Sequence, residues 1–391
     1  MRVLQVVPYF PPAWSYGGPV KISYDIAKNL VRRGHEVTVY TSDVINDRSR
    51  REVEIEEMDG IQVHRFRTIL KGAGSAMKLF VTPEMIPIVR EKIDTFDVIH
   101  LHEYRSFQNL VIHHYAKKFG RPYILQAHGS LPRILAKQRL KWIFDAFFGL
   151  RLLRDADRVI AISQIEAKQY ENIGLPREKI HVIPNGIDLS EYNSLPQRGV
   201  FRKKYGIGDN EKIVLYLGRI HRIKGIDLLI EAFANLQKEL KNVKLVIVGP
   251  DDGYLFDCRK LARRLRIDEN VLFITPLYGI NKLQAYVDAD VYVLPSRYDA
   301  SPISVLESIA CGTPVILSEN CCVSEILGNN VGVIVRFSPE ELRQALFEVL
   351  TKKELLRRFR MNCGPVVKHF GISNAISKLE RVYEEVHGGI K

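Results

Sequence analysis

Residues 291–315 read VYVLPSRYDASPISVLESIACGTPV. The apolar run Val291, Tyr292, Val293, Leu294 is short and β-branched, as expected of a buried strand. Ser301-Pro302 then reads as an N-cap followed by proline at the first helical position. Glu307 falls in the body of that helix, Gly312 ends it, and Val315-Ile316-Leu317 begins the next strand. The layout aims free backbone N–H groups and two carboxylates, Asp299 and Glu307, at the end of a buried strand. A helix N-terminus attracts phosphate, and a carboxylate's two acceptor oxygens suit the vicinal hydroxyls of a ribose. The segment reads as a sugar-nucleotide site.

Outward from this unit, the same rhythm runs through the chain. Val3–Val7, Val37–Thr41, Val98–His102, Tyr123–Ala127 and Val159–Ser163 are strand-like, and residues 20–33 form an amphipathic helix closed by Gly34. The rhythm pauses in a polar stretch from Pro184 to Gln197. It restarts with Lys212–Gly218, then Lys244–Gly249 and Val271–Thr275. Short apolar strands separated by helices imply parallel sheets covered on both faces. With 391 residues the chain is too long for one ordinary core. The expectation is α/β: two Rossmann-like, doubly wound parallel-sheet domains, residues 1–195 and 196–370, facing across a cleft. A helix at residues 371–391 is expected to pack back on the first domain. Ligands in such sheets bind beyond the carboxyl ends of the strands.

The chain carries a net charge of +12 and a pI near 9.3, so anionic partners are favoured. No zinc-finger spacing, RNP-like strand or arginine-rich arm accompanies the charge, which argues against nucleic acid. The start of the sequence runs straight into a strand, and no window reaches the length of a membrane span. The five cysteines show no metal-ligand spacing and are expected to be reduced and mostly buried. A cytoplasmic protein is the expectation.

Five motifs occur in order: Gly17-Gly18 before a helix, Arg33-Gly34-His35-Glu36-Val37, Pro184-Asn185-Gly186-Ile187-Asp188, Gly218-Arg219 with Lys224-Gly225, and Asp299-x7-Glu307 with Cys311-Gly312-Thr313-Pro314-Val315. Together they resemble the retaining glycosyltransferases of family 4 (glycosyltransferase group 1, the GT-B fold). The resemblance spans nearly the whole chain. It implies transfer of a sugar from a nucleotide-sugar (UDP-, GDP- or ADP-linked) to a glycan or lipid-linked acceptor hydroxyl, with no cofactor and no catalytic metal. An epimerase of the same fold and a non-catalytic nucleotide-sugar-binding protein are the competing readings.

By that resemblance Arg219 and Lys224 stand at the leaving diphosphate, where fixed cations lower the barrier to departure. Glu307 is the ribose ligand; its apolar neighbours place it in a buried helix, where an acid wants a partner. Asp299 lies by the donor sugar's hydroxyls, although the family more often has Glu there. Ser301, Pro302 and Ile303 complete the donor side, with the base expected near Thr275-Pro276-Leu277. Gly17 and Gly18 let backbone approach a ligand, but they do not form GxGxxG and no ribose acid follows the next strand, which disfavours a dehydrogenase. Asn185 joins the substrate-binding set. His128 stands beside sugar and acceptor, as a catalytic but not a nucleophilic group. His100-x-His102-Glu103 lacks supporting ligands at further spacing, so no metal site is expected.

The stretch Arg133 to Arg154 is basic and aromatic. Core packing with snorkelling ends is the expectation. Peripheral contact with the inner face of an anionic membrane is the second reading.

Overall fold

The computed structural model describes all residues except 47–48, 53, 70–79, 134–137, 324–326 and 390–391. The chain divides into two compact units: Met1–Gly186 with Ile372–Lys391, and Ile187–Gly371. The sequence suggested a boundary at 195/196; the contacts place it within the Pro184–Gln197 pause, between Gly186 and Ile187.

The first unit is built on an eight-stranded sheet. Its strands are β1 (Arg2–Val6), β2 (Glu36–Ser42), β3 (Ile55–Met58), β4 (Ile61–Phe66), β5 (Val98–His102), β6 (Tyr123–Gln126), β7 (Arg158–Ala161) and β8 (Ile180–Val182). The spatial order is β3-β4-β2-β1-β5-β6-β7-β8. All neighbours are parallel except the β3–β4 hairpin at the edge. β3, β4 and β8 escaped the sequence reading because these strands, at the edges of the sheet or next to one, carry mixed polar residues and lack a continuous apolar run.

Successive side chains on a strand face opposite ways. Leu4, Val6, Ile99, Leu101, Tyr123 and Leu125 therefore point together into one core. The alternate set, Gln5, His100, His102 and Gln126, lines the other face and is equally buried. The C-terminal helix Ile372–Gly388 belongs to this face. The Tyr383 hydroxyl lies 2.8 Å from His100 Nδ1. Arg33 donates to Glu380 at 2.6 Å, and His35 Nε2 meets the same carboxylate at 3.1 Å. The Arg33-Gly34-His35 motif thus receives the C-terminal helix, with Gly34 (φ 85°) making the turn that places both side chains beside it.

The second unit holds β9 (Lys212–Leu217), β10 (Val243–Val248), β11 (Val271–Ile274), β12 (Val291–Leu294), β13 (Val315–Ser318) and β14 (Gly332–Val335). Their order is β11-β10-β9-β12-β13-β14, all parallel. β9, β10 and β12 are almost wholly buried, as their unbroken apolar runs require. In each sheet the chain leaves a central strand in both directions: β1 lies between β2 and β5, and β9 between β10 and β12. Those reversals are topological switch points, where doubly wound sheets open a crevice beyond their strand ends.

Candidate functional site

In the second unit the switch point lies between the ends of β9 and β12. β9 runs into Gly218-Arg219 and then a short turn, Arg222–Lys224, whose N-terminal side is capped by the His221 ring accepting from the Ile223 N–H. Gly225 closes the turn at φ 69°. A Cβ there would lie 1.9 Å from the Pro295 carbonyl oxygen, so only glycine allows the two loops to meet. Arg297 reinforces the junction, donating to Asp227 at 2.9 and 2.6 Å and to the Arg222 carbonyl. Its own N–H bonds the Ile223 carbonyl at 2.7 Å. The Lys224-Gly225 dipeptide is thereby pinned against the loop that follows β12.

That junction brings Lys224 and Asp299 together. Lys224 Nζ donates to Asp299 Oδ2 at 2.5 Å. Both side chains are largely buried, at 17% and 12% exposure. Arg219 is paired with Asp252, a residue outside the motifs the sequence singled out. Beneath these loops stand two buried tyrosines. The Tyr216 hydroxyl donates to the Arg219 carbonyl at 2.7 Å. The Tyr292 hydroxyl lies between the Leu217 carbonyl and Ser304 Oγ, at 3.1 and 2.7 Å. Burial holds both phenols well above their usual pKa, so they act as neutral props for the strand ends.

Glu307 lies in the helix Ile303–Ala310 and is buried. It is not left waiting for a ligand: Lys282 Nζ donates to Oε1 at 2.6 Å and the Tyr286 hydroxyl to Oε2 at 3.1 Å. Burial and the Glu307 charge keep the Tyr286 phenol protonated. Burial of this acid therefore does not by itself demand a ribose diol, because the protein supplies two donors. Lys282 and Tyr286 share one face of the helix Gly279–Asp288, four residues apart. That spacing is visible in the sequence, but what the face meets is not.

The start of the Glu307 helix also differs from expectation. Pro302 is itself the N-cap, at φ −73° and ψ 108°, and no side chain caps the first turn. Its carbonyl accepts from the Val305 N–H at 3.1 Å. Ser301 is half-buried, whereas Pro302 and Ile303 are buried. Thr275-Pro276-Leu277 follows β11, the edge strand beyond β10.

In the first unit the switch point lies between β1 and β5. β1 leads to Gly17 (φ 86°), which caps the helix Gly18–Arg32, with Pro19 in its first turn. An added Cβ at Gly18 would meet nothing within 4 Å. His128, just past β6, adopts φ 53°, left-handed backbone that costs a non-glycine residue energy. Three contacts hold it there. His102 Nδ1 lies 2.9 Å from His128 Nε2. The following N–H, Gly129, donates to Glu166 Oε1 at 2.6 Å, and the other oxygen of that acid takes the Ile162 N–H at 2.8 Å. Glu166 is fully buried; burial pushes its carboxyl up to about 7 while the two N–H donors pull it down. Desolvation lowers His128 and His100 to about 3, so both rings are neutral at physiological pH. His100 and His102 are engaged by Tyr383 and His128 respectively. Asn185 is buried at the end of this unit. His102 and Glu166 carry no motif signal; the period-two pairing of His102 with His100 was the only hint.

The helical stretch Gln138–Asp155 is not core along its outer side. Trp142, Phe147 and Phe148 are each at least half exposed. This overturns core packing for those residues, while Ile134-Leu135-Ala136-Lys137 lie outside the described residues. All five cysteines are free and buried. Among the described residues no helix is long and apolar enough to cross a membrane.

Comparison with known proteins agrees with this architecture. Residues 16–191 match the family described as Glycosyltransferase Family 4, and residues 197–363 the family described as Glycosyl transferases group 1. An uncharacterized glycosyltransferase of Methanocaldococcus jannaschii is 31% identical over 353 residues, covering 85% of this chain and 84% of that protein. The lipopolysaccharide glucosyltransferase WaaG of Escherichia coli is 26% identical over 395 residues, covering 98% and 97%. Among solved structures, Anabaena HepE in complex with UDP-glucose superimposes with a TM-score of 0.79 at 19% identity, over 98% of this chain and 100% of that one. The two parallel-sheet domains are those of the GT-B fold, and the chain belongs to the group 1 glycosyltransferases, hexosyltransferase-type enzymes that transfer sugars.

Proposed function

We propose that this glycosyltransferase moves a hexose from a nucleoside-diphosphate sugar to a glycan or lipid-linked hydroxyl, with retention at the anomeric carbon. The observation that carries the reading is the Lys224–Asp299 pair at the β9/β12 switch point. It sets a cation for phosphate beside a carboxylate for sugar hydroxyls. Arg219 is the second phosphate cation, and Glu307 the ribose ligand, its remaining acceptor capacity turned to the diol. Ser301, Pro302 and Ile303 supply backbone at the donor. Gly17, Gly18, Asn185 and His128 serve the acceptor side.

In the reaction the bond from the anomeric carbon to the β-phosphate oxygen breaks, and negative charge grows on the diphosphate. Lys224 and Arg219 stabilise that charge more in the transition state than in the bound donor. The acceptor hydroxyl attacks from the face that the phosphate leaves, and its proton passes to a phosphate oxygen. His128, neutral, hydrogen-bonds the sugar or acceptor and is not a nucleophile. HepE was solved with UDP-glucose, and WaaG is named for lipopolysaccharide. These favour a UDP-sugar donor and an acceptor borne on a lipid, which would put the enzyme at a membrane surface. The matches favour neither the epimerase nor the non-catalytic alternative.

The test is a screen of UDP-, GDP- and ADP-sugars for nucleotide release, with and without acceptor extract, and NMR of the product's anomeric configuration. Acceptor-dependent release from a UDP-sugar, with the donor's configuration kept, is expected. An inverted product would overturn the same-face mechanism, and sugar conversion without transfer would overturn the proposal as a whole.

A further inference from the structure

Asp252, the partner of Arg219, lies in none of the motifs read from the sequence, yet its loop is stitched to the Arg219 loop. β10 is followed by Gly249 (φ 155°), where a Cβ would lie 1.8 Å from the Gly218 carbonyl oxygen, so glycine lets the two strand ends close on each other. The Ile220 N–H donates to the Pro250 carbonyl at 2.8 Å, and the Asp252 N–H donates to the Ile220 carbonyl at 3.0 Å. The Tyr216 hydroxyl holds the Arg219 carbonyl from below. The backbone around Arg219 is thus fixed without help from an ionised side chain.

The two neighbouring acids of this loop are used differently. Asp251 Oδ1 accepts the Gly253, Tyr254 and Leu255 N–H groups at 2.9, 3.0 and 3.1 Å, which shapes the turn into the helix Leu255–Arg264. Asp252 instead gives its carboxylate to the Arg219 guanidinium. The Arg219 and Asp252 side chains are 29% and 36% exposed, against 17% and 12% for Lys224 and Asp299. An ion pair open to water is weakly held, whereas a desolvated one is costly to break. Of the two carboxylates that hold phosphate cations at rest, Asp252 is therefore the one a diphosphate can displace.

The two ligands of such a site differ in charge. Once the sugar has left, the terminal phosphate gains an ionisable oxygen with a pKa near 6, and so carries nearly one negative charge more. The product then draws Arg219 off Asp252 more completely than the donor does, and bears more of the cost of parting that pair.

We propose that Asp252 is the exchangeable counterion of Arg219: it yields the guanidinium as charge collects on the diphosphate and reclaims it as the nucleoside diphosphate departs, which keeps the product from binding too tightly. The proposal rests on the reading of Arg219 as a phosphate cation. Asp252 acts through Arg219 and is a positioning residue.

Calorimetric titration of the full chain with UDP, GDP and ADP, each alongside its glucose conjugate, selects the tightest pair, which is then carried through the variants. Asp252→Asn keeps the shape and removes the charge; circular dichroism checks its fold. It should tighten the nucleoside diphosphate about fivefold and the nucleotide-sugar less than about twofold. Asp252→Glu keeps the charge and should leave both within about twofold of wild type. Arg219→Ala should weaken the nucleoside diphosphate at least about fivefold. In that background Asp252→Asn should move it less than about twofold, because the cation being contested is gone. Where Arg219→Ala weakens the product, an unchanged or weaker product affinity in Asp252→Asn overturns the proposal, as does a tightening that persists undiminished without Arg219. Full affinity in Arg219→Ala would overturn the phosphate role of Arg219 itself and this proposal with it, while the donor screen still decides whether sugar is transferred. Binding of none of the nucleotides would overturn both readings.

Discussion

At the scale of single residues, the donor-side proposal rests on charges that already have protein partners. Lys224 is bonded to Asp299, Arg219 to Asp252 and Glu307 to Lys282. A diphosphate arriving at Lys224 and Arg219 competes with carboxylates. The cations are therefore held in place before the ligand comes, at little cost in side-chain ordering when it does. Lys224→Ala should lower kcat by about 10²–10³-fold with the donor KM changed only a few-fold, the signature of a group acting in the transition state. Steady-state kinetics with the donor that the screen identifies checks this. A kcat within a few-fold of wild type would remove Lys224 from the phosphate role. Asp299 and Glu307 were both legible as functional candidates from their spacing. The partners of Arg219 and Glu307 were not, because Asp252 and Lys282 reach them from other elements.

At the scale of elements, the first sheet buries a polar layer, Gln5, His100, His102 and Gln126, which the C-terminal helix meets through Tyr383 at His100. Period-two alternation puts these residues on one face, opposite the apolar core. Burial keeps His100 neutral, with its pKa near 3 against an ordinary 6.5. Because the folded state disfavours the proton, the unfolded state binds it first as pH falls below 6.5. Stability is full above that value and is lost progressively towards pH 3. By pH 4.5 the loss from His100 amounts to roughly 3 kcal/mol, two pH units at about 1.4 kcal/mol each. His100→Gln should therefore be less stable than wild type at pH 7.5 but lose less on going to pH 4.5. Urea midpoints at the two pH values measure it. An equal acid shift in both proteins would mean that His100 does not titrate as argued.

At the scale of the whole molecule, one unit is continuous in sequence and the other is completed by the chain's last helix. That helix buries Ile372, Ile376, Leu379, Val382, Tyr383 and Val386. At about 1.5–3 kcal/mol each they contribute on the order of 10 kcal/mol, comparable to the net stability of a domain. Deleting residues 372–391 should strongly destabilise the first unit and uncover its polar layer. The second unit has its whole sheet within Ile187–Gly371 and should keep its fold and its affinity for nucleotide. Calorimetry and nucleotide titration of the truncated protein separate the two effects. Loss of nucleotide affinity together with the first unit's transition would show that the units are not independent in this way.

The sequence by itself determined the strand–helix alternation, the two parallel sheets and the ordered motifs that mark the family. These are local facts: apolar runs have the length of buried strands, and glycine and proline punctuate them. It misjudged the first turn after Ser301, where Pro302 is the cap, and the outer side of Gln138–Asp155. There, periodicity reports an apolar stripe but not whether anything covers it. Only the tertiary structure decided that Gly225 meets Pro295 and so sets Lys224 on Asp299, that Lys282 and Tyr286 close on Glu307, and that His102 and Glu166 hold His128. Each of these contacts joins residues from separate elements, brought together by the order of the strands. Strand order follows from how whole helices pack on a sheet, which no local pattern of residues records.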